Sequence, residues 1–363
     1  MTPKVTEMNE NPASTPDAST PDASAHEKSI PGAEPVLAIR DLVVELPGPD
    51  GSPLRAIDGV DLTVGRGEIV GLAGESGSGK TMTALALLGL LPQGGTAAGQ
   101  MLVEGDDVLK MTPRQVRDLR GNRVAMVFQD PMTSLHPMLS VGKQLTEHLR
   151  HHKKLDKRAA NARAVELLTT VRIPDPERAL GRYPHQFSGG MRQRIAIAIA
   201  LACDPALLLA DEPTTALDVT VQAGILRLLD RLRRENGLSV LIITHDLGVM
   251  SALADRVSVM YAGRIVESGP RADVLREPRH PYTRGLLDAL PHPDGGNAAL
   301  VPIVGSPPKL GQAPSGCAFH PRCPHAVAAC AEERPNLLAL TPTHAGACPI
   351  DPLAVTASKV GTP

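Results

Sequence analysis

Short, mostly apolar segments recur along the chain, and longer stretches of mixed polarity separate them. Four of these segments have the length and composition of strands in a buried parallel sheet: 68–73, 124–128, 207–210 and 240–244. Residues 145–171 place charges between Leu and Ala positions and are predicted to be helical. The pattern predicts an α/β fold. Because parallel sheets bind ligands at the carboxyl ends of their strands, the residues after each segment are the candidates for chemistry.

The first segment runs directly into a phosphate-binding pattern. Residues 74–81 read Gly-Glu-Ser-Gly-Ser-Gly-Lys-Thr, a full match to G-x-x-x-x-G-K-[ST]. In this P-loop the glycines let backbone N–H groups surround phosphates, Lys80 reaches the β- and γ-phosphates, and Thr81 holds Mg²⁺. A glycine-rich turn is the alternative, but it does not require Lys and Thr in register. The candidate ATP-binding residues are Gly74, Glu75, Ser76, Gly77, Ser78, Gly79, Lys80 and Thr81.

Later motifs decide which class of P-loop protein this is. Residues 187–193, Phe-Ser-Gly-Gly-Met-Arg-Gln, resemble the signature motif of ATP-binding cassette (ABC) proteins, and they precede the apolar segment that ends in Asp211 and Glu212. The remaining cassette motifs follow in order: Gln129 after its strand, Ala216-Leu217-Asp218 as the D-loop, and His245 after the last strand. The resemblance implies a P-loop ABC ATPase cassette, with a RecA-like parallel-sheet core and with antiparallel β and helical subdomains.

The resemblance also implies roles for these residues. Asp211 would lie beside Mg²⁺, Glu212 would be the general base for the attacking water, and His245 would orient that water and the γ-phosphate. Gln129 is implied as a further catalytic residue and Mg²⁺ ligand, in the loop that helps to grip a permease. The alternative for Gln129 and His245 is an ordinary polar residue at a strand end.

The signature residues imply a dimer. Ser188, Gly189 and Gly190 would contact a γ-phosphate held by a different subunit, and Asp218 is counted with them among the nucleotide-binding residues. Met191 stands where the family more often has Gln, which removes one side-chain contact and leaves the backbone and Ser188 contacts. Residues 195–202 alternate like a strand, but their Ala content and the signature context predict a helix.

The carboxyl-terminal part of the chain is similar to a subfamily of importers. Three segments carry the resemblance to the ATP-binding subunits of dipeptide and oligopeptide importers, with nickel importers as close relatives: 280–287 (His-Pro-Tyr-Thr-Arg-Gly-Leu-Leu), 305–308 (Gly-Ser-Pro-Pro) and 316–324 (Gly-Cys-Ala-Phe-His-Pro-Arg-Cys-Pro). Residues 125–135 are also typical of that subfamily, although His136 stands where Asn is usual. The resemblance covers residues 36–350.

A cysteine cluster lies in the same region. Four of the five cysteines are Cys317, Cys323, Cys330 and Cys348, separated by five, six and seventeen residues. None of these spacings is the C-x₂-C of structural zinc, and disulfides are rare in cytosolic proteins. The resemblance implies a [4Fe–4S] cluster at these four positions; a Zn²⁺ site and unligated thiols are the alternatives. Cys203, in an apolar segment, is predicted to be an inert core thiol.

The composition of the chain predicts its disordered tails, and its net charge bears on nucleic-acid binding. Residues 1–34 are rich in Pro, Ser, Thr and Asp, with two Lys against six acidic residues, and are predicted to be a disordered acidic tail. The net charge of −2 gives no indication of nucleic-acid binding. The expected domains are the cassette over 35–290 with its helical subdomain at about 130–190, a small Cys-rich extension over 291–350, and a second disordered tail over 351–363.

Together these patterns predict the ATPase subunit of a bacterial importer for dipeptides or oligopeptides. The expected partners are a second ABC ATPase, predicted to be a paralogue, two transmembrane permeases and an extracytoplasmic substrate-binding protein. The expected location is peripheral, on the cytoplasmic face of the inner membrane. The alternatives are the same role for nickel or another small solute, a soluble ABC ATPase without a transport role, and a sensor in which the cysteines gate the ATPase.

Overall fold

The computed structural model describes residues 34–130, 134–215, 217–290 and 301–350. Apart from Glu34, the two predicted tails lie outside the described residues, and Ala216 of the predicted D-loop also does.

The described strands include the four that the apolar segments predict. The strands are β1 (Leu37–Pro47), β2 (Pro53–Val64), β3 (Ile69–Ala73), β4 (Thr96–Val103), β5 (Asp106–Asp107), β6 (Val124–Val127), β7 (Leu207–Asp211), β8 (Ser239–Thr244), β9 (Arg256–Tyr261), β10 (Arg264–Pro270), β11 (Leu338–Ala339) and β12 (Ala345–Gly346). The helices are α1 (Lys80–Leu87), α2 (Pro113–Leu119), α3 (Val141–His152), α4 (Lys157–Thr170), α5 (Pro176–Ala179), α6 (Gly189–Ala200), α7 (Val219–Asn236), α8 (Leu247–Leu253), α9 (Arg271–Arg276), α10 (Pro281–Asp288) and α11 (Ala329–Glu332).

The larger sheet has the strand order β11-β12-β10-β9-β3-β8-β7-β6. Strands β9, β3, β8, β7 and β6 are parallel to one another, and β10 is antiparallel to β9. Ala73 pairs with Thr244, and Ala210 pairs with both Val127 and Ile242. The four predicted strands therefore end at the same edge of the sheet. This edge carries the P-loop, Gln129, Asp211 and His245.

Both faces of this sheet are covered, which explains the continuous apolar sequence of its strands. Every residue of β3, β7 and β8 is buried. Leu208 and Ala210 pack into the core shared with helices α3, α4, α6 and α7. Leu207 and Leu209 face the other way and pack against residues of α1 and of a smaller sheet with the order β2-β1-β4-β5.

The helical region differs in one detail from its prediction. Residues 145–171 form parts of two helices, α3 and α4, instead of one. Lys154 has a positive φ of 55°, and Asp156 accepts a hydrogen bond from the backbone N–H of Ala159 at 2.8 Å, which starts a new helix. Residues 195–202 are helical through Ala200, as predicted against their alternating pattern.

The last described segment extends the larger sheet. Residues of β12 pair with β10, with Glu267 opposite Gly346, and β11 pairs with β12. The buried carboxylate of Glu267 accepts hydrogen bonds from the backbone N–H groups of Arg279 (2.7 Å) and His280 (3.0 Å) and lies 2.8 Å from Nε2 of His344. Burial raises the pKa of Glu267. These contacts join residues 338–346 to the cassette.

Candidate nucleotide-binding site

The P-loop follows β3 and ends at the first turn of α1. Gly74, Gly77 and Gly79 have positive φ values of 148°, 80° and 109°, which favour glycine. A Cβ on Gly74 would lie 2.2 Å from the carbonyl oxygen of Met260, so only glycine fits there. The spacing of the motif therefore puts glycine where the backbone has a positive φ, and at Gly74 also where there is no room for a side chain.

Lys80 is folded into this loop. Its Nζ donates to the carbonyl oxygens of Gly74 and Glu75, both at 2.8 Å, and to Oγ of Ser78 at 3.3 Å. Burial lowers the pKa of Lys80, and the nearby carboxylates of Glu212, Asp211 and Glu75 oppose that effect. The ammonium group is therefore inside the phosphate cradle, held by groups that a bound phosphate would replace.

Thr81 and Asp211 meet at the carboxyl end of β7. Oγ1 of Thr81 donates to Oδ1 of Asp211 at 3.2 Å, and Asp211 is only 4% exposed. Burial raises the pKa of Asp211, and the hydrogen bond from Thr81 and the charge of Lys80 oppose the rise. A hydroxyl and a carboxylate oxygen in contact are suitable ligands for Mg²⁺, which prefers oxygen donors.

Glu212 contacts three other side chains through its carboxylate. Its Oε2 accepts from Nε2 of Gln129 at 3.0 Å and from Oγ1 of Thr215 at 2.8 Å, and its Oε1 lies 2.8 Å from Nδ1 of His245. Its backbone has a φ of 46°, and its N–H donates to the carbonyl oxygen of Ile243 at 2.7 Å. Strained backbone of this kind persists where surrounding contacts impose it.

The charge of Glu212 follows from these contacts. Burial alone would raise its pKa, but hydrogen bonds from His245 and Thr215 outweigh burial and lower the pKa below its usual value. Glu212 is therefore ionised at neutral pH and has the protonation state that a general base requires.

The signature residues lie at a helix N-terminus. Ser188 caps α6, and its Oγ accepts from the backbone N–H of Met191 at 3.4 Å. A Cβ on Gly190 would lie 2.5 Å from Cγ1 of Val221, so glycine allows α6 to approach α7. Asp218 caps α7 by accepting from Val221 N–H at 2.9 Å. Direct contacts thus join Thr81 of the P-loop to Asp211, and join Glu212 to Gln129 and His245. Ser188 and Asp218 instead make their contacts as helix caps.

Three contact residues were missed by sequence reasoning: Thr215, Tyr282 and Arg322. Thr215 follows Glu212 by three residues, a spacing that is a usable signal for a hydroxyl partner. Tyr282 and Arg322 contact Glu75 of the P-loop from 207 and 247 residues away, and no local pattern indicates such pairs.

The four clustered cysteines line one cavity of about 440 Å³, together with residues that include Phe319 and Leu338. All four are half-buried free thiols in the structure, and Cys203 is buried as predicted. Burial raises the pKa of Cys317 and Cys323 and raises that of Cys348 to about 11. In the described part of the chain, no group of three or more His, Cys, Asp or Glu side chains is placed to hold a metal ion. The structure thus shows no formed metal site at these cysteines, and the iron–sulfur and zinc assignments stay predictions.

Comparison with known families agrees with the fold. Residues 57–215 match the family model described as ABC transporter, and residues 266–330 match the one described as the C-terminal region of oligopeptide/dipeptide transporters. Fold and motifs therefore define an ATPase of the ABC class.

Among ABC proteins, the chain is similar to ATP-binding proteins of peptide transporters. The chain is 47% identical over 316 residues to the oligopeptide transport ATP-binding protein OppD of Salmonella typhimurium, covering 87% of this chain and 94% of that protein. It is 46% identical over 317 residues to the dipeptide transport ATP-binding protein DppD of Bacillus subtilis, with 87% and 94% covered. The dimeric bacterial ABC transporter cassette MJ0796 superposes with a TM-score of 0.57 at 27% identity, covering 65% of this chain and 98% of that one.

The chain belongs to the ABC transporter family, in the group that carries the oligopeptide/dipeptide transporter C-terminal region. This confirms the family that the motifs predicted. In the described residues, no helix is both long enough and apolar enough to cross a membrane.

The contacts of Glu212 generate a prediction about hydrolysis. Glu212→Gln keeps the shape of the side chain and removes its ability to accept a proton. We expect ATP hydrolysis to fall about 10²- to 10⁴-fold, the usual effect of losing a general base. ATP binding should persist, because the P-loop contacts are unchanged. Phosphate release and binding of a fluorescent ATP analogue measure the two effects separately.

Lys80→Ala is the matched comparison, since it should weaken nucleotide binding itself. Hydrolysis by the Glu212→Gln protein within threefold of the wild-type rate would contradict the assignment.

Proposed function

We propose that this chain is the ATP-hydrolysing subunit of an importer of dipeptides or oligopeptides. The observation that carries the catalytic half of the proposal is the contact of Glu212 with Gln129, Thr215 and His245 at the sheet edge that also carries the P-loop. The transport half is supported by the peptide-transporter match over 266–330 and by the names of the relatives.

In this proposal, the residues of the site share three tasks: proton transfer and positioning of the water, phosphate binding, and Mg²⁺ binding. Glu212 accepts a proton from the attacking water, while His245 and Gln129 hold the water and the γ-phosphate in position. Lys80 and the N–H groups of residues 74–81 bind the phosphates. Thr81, Asp211 and Gln129 would hold Mg²⁺, which would neutralise charge on the phosphates.

The proposal also makes the site a product of two subunits. Ser188 begins α6, so its hydroxyl and the N–H groups of Gly189 and Gly190 lie at the positive end of a helix dipole. That end suits a phosphate bound by a second cassette. ATP between two cassettes would bring them together, and this closure would move attached permease helices; hydrolysis would then release the closed state.

Complementation tests the composite site. Ser188→Arg should spoil the site whose P-loop belongs to the partner, and Lys80→Ala should spoil the site of its own P-loop. When the purified chain pairs with a second copy of itself, each variant alone has both sites of the dimer damaged, whereas a mixed dimer has one intact site. We therefore expect equal amounts of the two inactive proteins to regain ATPase activity on mixing. A mixture no more active than either variant alone would rule out the composite site, provided that the wild-type dimer is active.

The remaining partners follow from the proposed transport role. The chain would work on the cytoplasmic face of the inner membrane, with two permeases, a second and paralogous cassette protein, and an external substrate-binding protein.

Isolation of the assembly tests the transport role. Affinity purification of the full chain from detergent-solubilised membranes should recover two permeases and a different cassette protein. In vesicles that contain this assembly and its binding protein, di- or oligopeptides should stimulate ATP hydrolysis. Stimulation by Ni²⁺ instead of peptides would favour the nickel alternative. Recovery of ATPase activity with no membrane protein attached would favour the soluble alternative.

We further propose that Cys317, Cys323, Cys330 and Cys348 hold a [4Fe–4S] cluster. The support is that all four thiols line one cavity of about 440 Å³ in a segment with few buried residues of its own. Four cysteine ligands are the usual set for this cluster. Because burial raises the pKa of Cys317, Cys323 and Cys348, the bare thiols would stay protonated, and binding of the metal would release protons.

Anaerobic purification tests this second proposal. The protein should be brown and contain about four iron and four acid-labile sulfide atoms per chain, the content of a single cluster. Serine at any one of the four positions should bleach the colour, while Cys203→Ser, the matched control, should not. Stoichiometric zinc without sulfide would replace the cluster by a zinc site, and the absence of both metals would leave four unligated thiols.

A further inference from the structure

An ion pair joins residues 301–350, called the C-terminal segment below, to the P-loop. The guanidinium of Arg322 contacts the carboxylate of Glu75 through two parallel hydrogen bonds, Nη1 to Oε2 at 2.7 Å and Nη2 to Oε1 at 3.0 Å. The Arg322 side chain is only 5% exposed, and that of Glu75 is 27% exposed. Two-pronged pairs of this kind fix geometry as well as charge.

Glu75 is also held by its backbone. Its N–H donates to the hydroxyl of Tyr282 at 2.8 Å, and its carbonyl oxygen accepts from Nζ of Lys80 at 2.8 Å. Two of these three contacts come from residues that follow the last parallel strand, and the third comes from the lysine that binds phosphate. The conformation of the loop at Glu75 therefore depends on the C-terminal part of the chain.

The platform behind Arg322 is built from aromatic residues. Tyr261, Tyr282 and Phe319 are buried and pack with ring centroids 4.6, 5.3 and 5.4 Å apart. They are three of only six Phe and Tyr residues in the chain. Aromatic groups of this size make a rigid support with few rotatable bonds. The guanidinium of Arg322 lies beside this cluster, 5.8 Å from the ring centroid of Tyr261 and 5.9 Å from that of Phe319.

Arg322 itself has little freedom to move. It ends a short 3₁₀ turn, His320–Arg322. Its Nε donates to the carbonyl oxygen of Val304 at 3.1 Å, and Nη1 also donates to the hydroxyl of Tyr261 at 3.3 Å. All three guanidinium nitrogens therefore have acceptors, and the charge is directed at Glu75.

The need for this charge follows from the ligand. A carboxylate in a phosphate-binding loop repels a triphosphate unless a cation neutralises it. We propose that Arg322 is a positioning residue for ATP binding, which neutralises Glu75 and holds the P-loop in the shape that receives phosphates. The C-terminal segment thereby sets the affinity of the cassette for nucleotide. The inference rests on ATP binding by residues 74–81 and goes beyond the proposed transport role.

A double-mutant cycle with Arg322→Gln, Glu75→Gln and the double variant tests the inference. We expect Arg322→Gln to raise the Kd for ATP about tenfold, the size of an uncompensated charge near phosphates in a partly exposed site. The double variant should recover to within about threefold of wild type, because it removes the uncompensated carboxylate. Glu75→Gln alone should shift the Kd less than Arg322→Gln does. Binding is measured with a fluorescent ATP analogue at low and high salt, and screening should shrink the difference.

Two further measurements distinguish a role in ATP binding from a purely structural role of Arg322 in holding the C-terminal segment to the cassette. Arg322→Gln should raise the KM for ATP and leave kcat within about threefold, since the guanidinium of Arg322 is bonded to Glu75, Tyr261 and Val304 and not to the proposed catalytic side chains. Arg334→Gln is the matched control: Arg334 also joins the C-terminal segment to the cassette, through Oδ2 of Asp58 at 2.6 Å, and its loss should leave the Kd unchanged. Unfolding midpoints of all variants show whether a loss of affinity follows a loss of fold.

Three results would overturn the inference: a Kd for Arg322→Gln within twofold of wild type, a double variant as weak as Arg322→Gln, or an equal loss in Arg334→Gln. Failure of the wild-type protein to bind ATP would instead reject the proposed function itself.

Discussion

The shared carboxyl edge of the parallel strands is the constraint on which the site depends. Strand pairing sets Ala73 beside Thr244, and Ala210 beside Val127 and Ile242. Residues from four distant parts of the sequence thus begin at nearly the same height above the sheet. Because these strands are buried on both faces, a shift in their register would place polar side chains in the core. The hydrophobic core therefore fixes the geometry of the catalytic edge.

Two neighbouring carboxylates at this edge have opposite electrostatic environments. Burial raises the pKa of Asp211, whereas hydrogen bonds from His245 and Thr215 lower that of Glu212 despite its burial. Environments that push two carboxyl groups apart are a sign of separate tasks. A metal ion beside Asp211 would favour its ionised form and would therefore oppose the effect of burial on its pKa. Contacts within the protein favour the ionised form of Glu212, which is the form that the proposed role of general base requires.

Most candidate residues at the carboxyl edge of the sheet could be predicted from the sequence, because their motifs are local. A P-loop after an apolar strand, Glu212 after Asp211, and His245 after a fourth strand are each defined within a few residues, and parallel pairing then brings them together. The division of 145–171 into two helices was missed because it depends on the cap at Asp156. The addition of β11 and β12 to the sheet was missed because two-residue strands carry no periodicity. Contacts of Arg322 and Tyr282 with Glu75 are set by tertiary packing over more than 200 residues, which no local motif records.

The C-terminal segment has a closer relation to the nucleotide site than an appended extension would have. The turn that carries Arg322 lies between Cys317 and Cys323, and its shape is set by hydrogen bonds from His320 N–H to the Cys317 carbonyl oxygen (3.0 Å) and from Cys323 N–H to the His320 carbonyl oxygen (3.2 Å). Any group bound by these two cysteines would fix the same turn. Arg322 then contacts Glu75, which is held in turn by Lys80 of the phosphate cradle. One short turn and one ion pair therefore connect these two cysteines to the loop segment that Lys80 contacts.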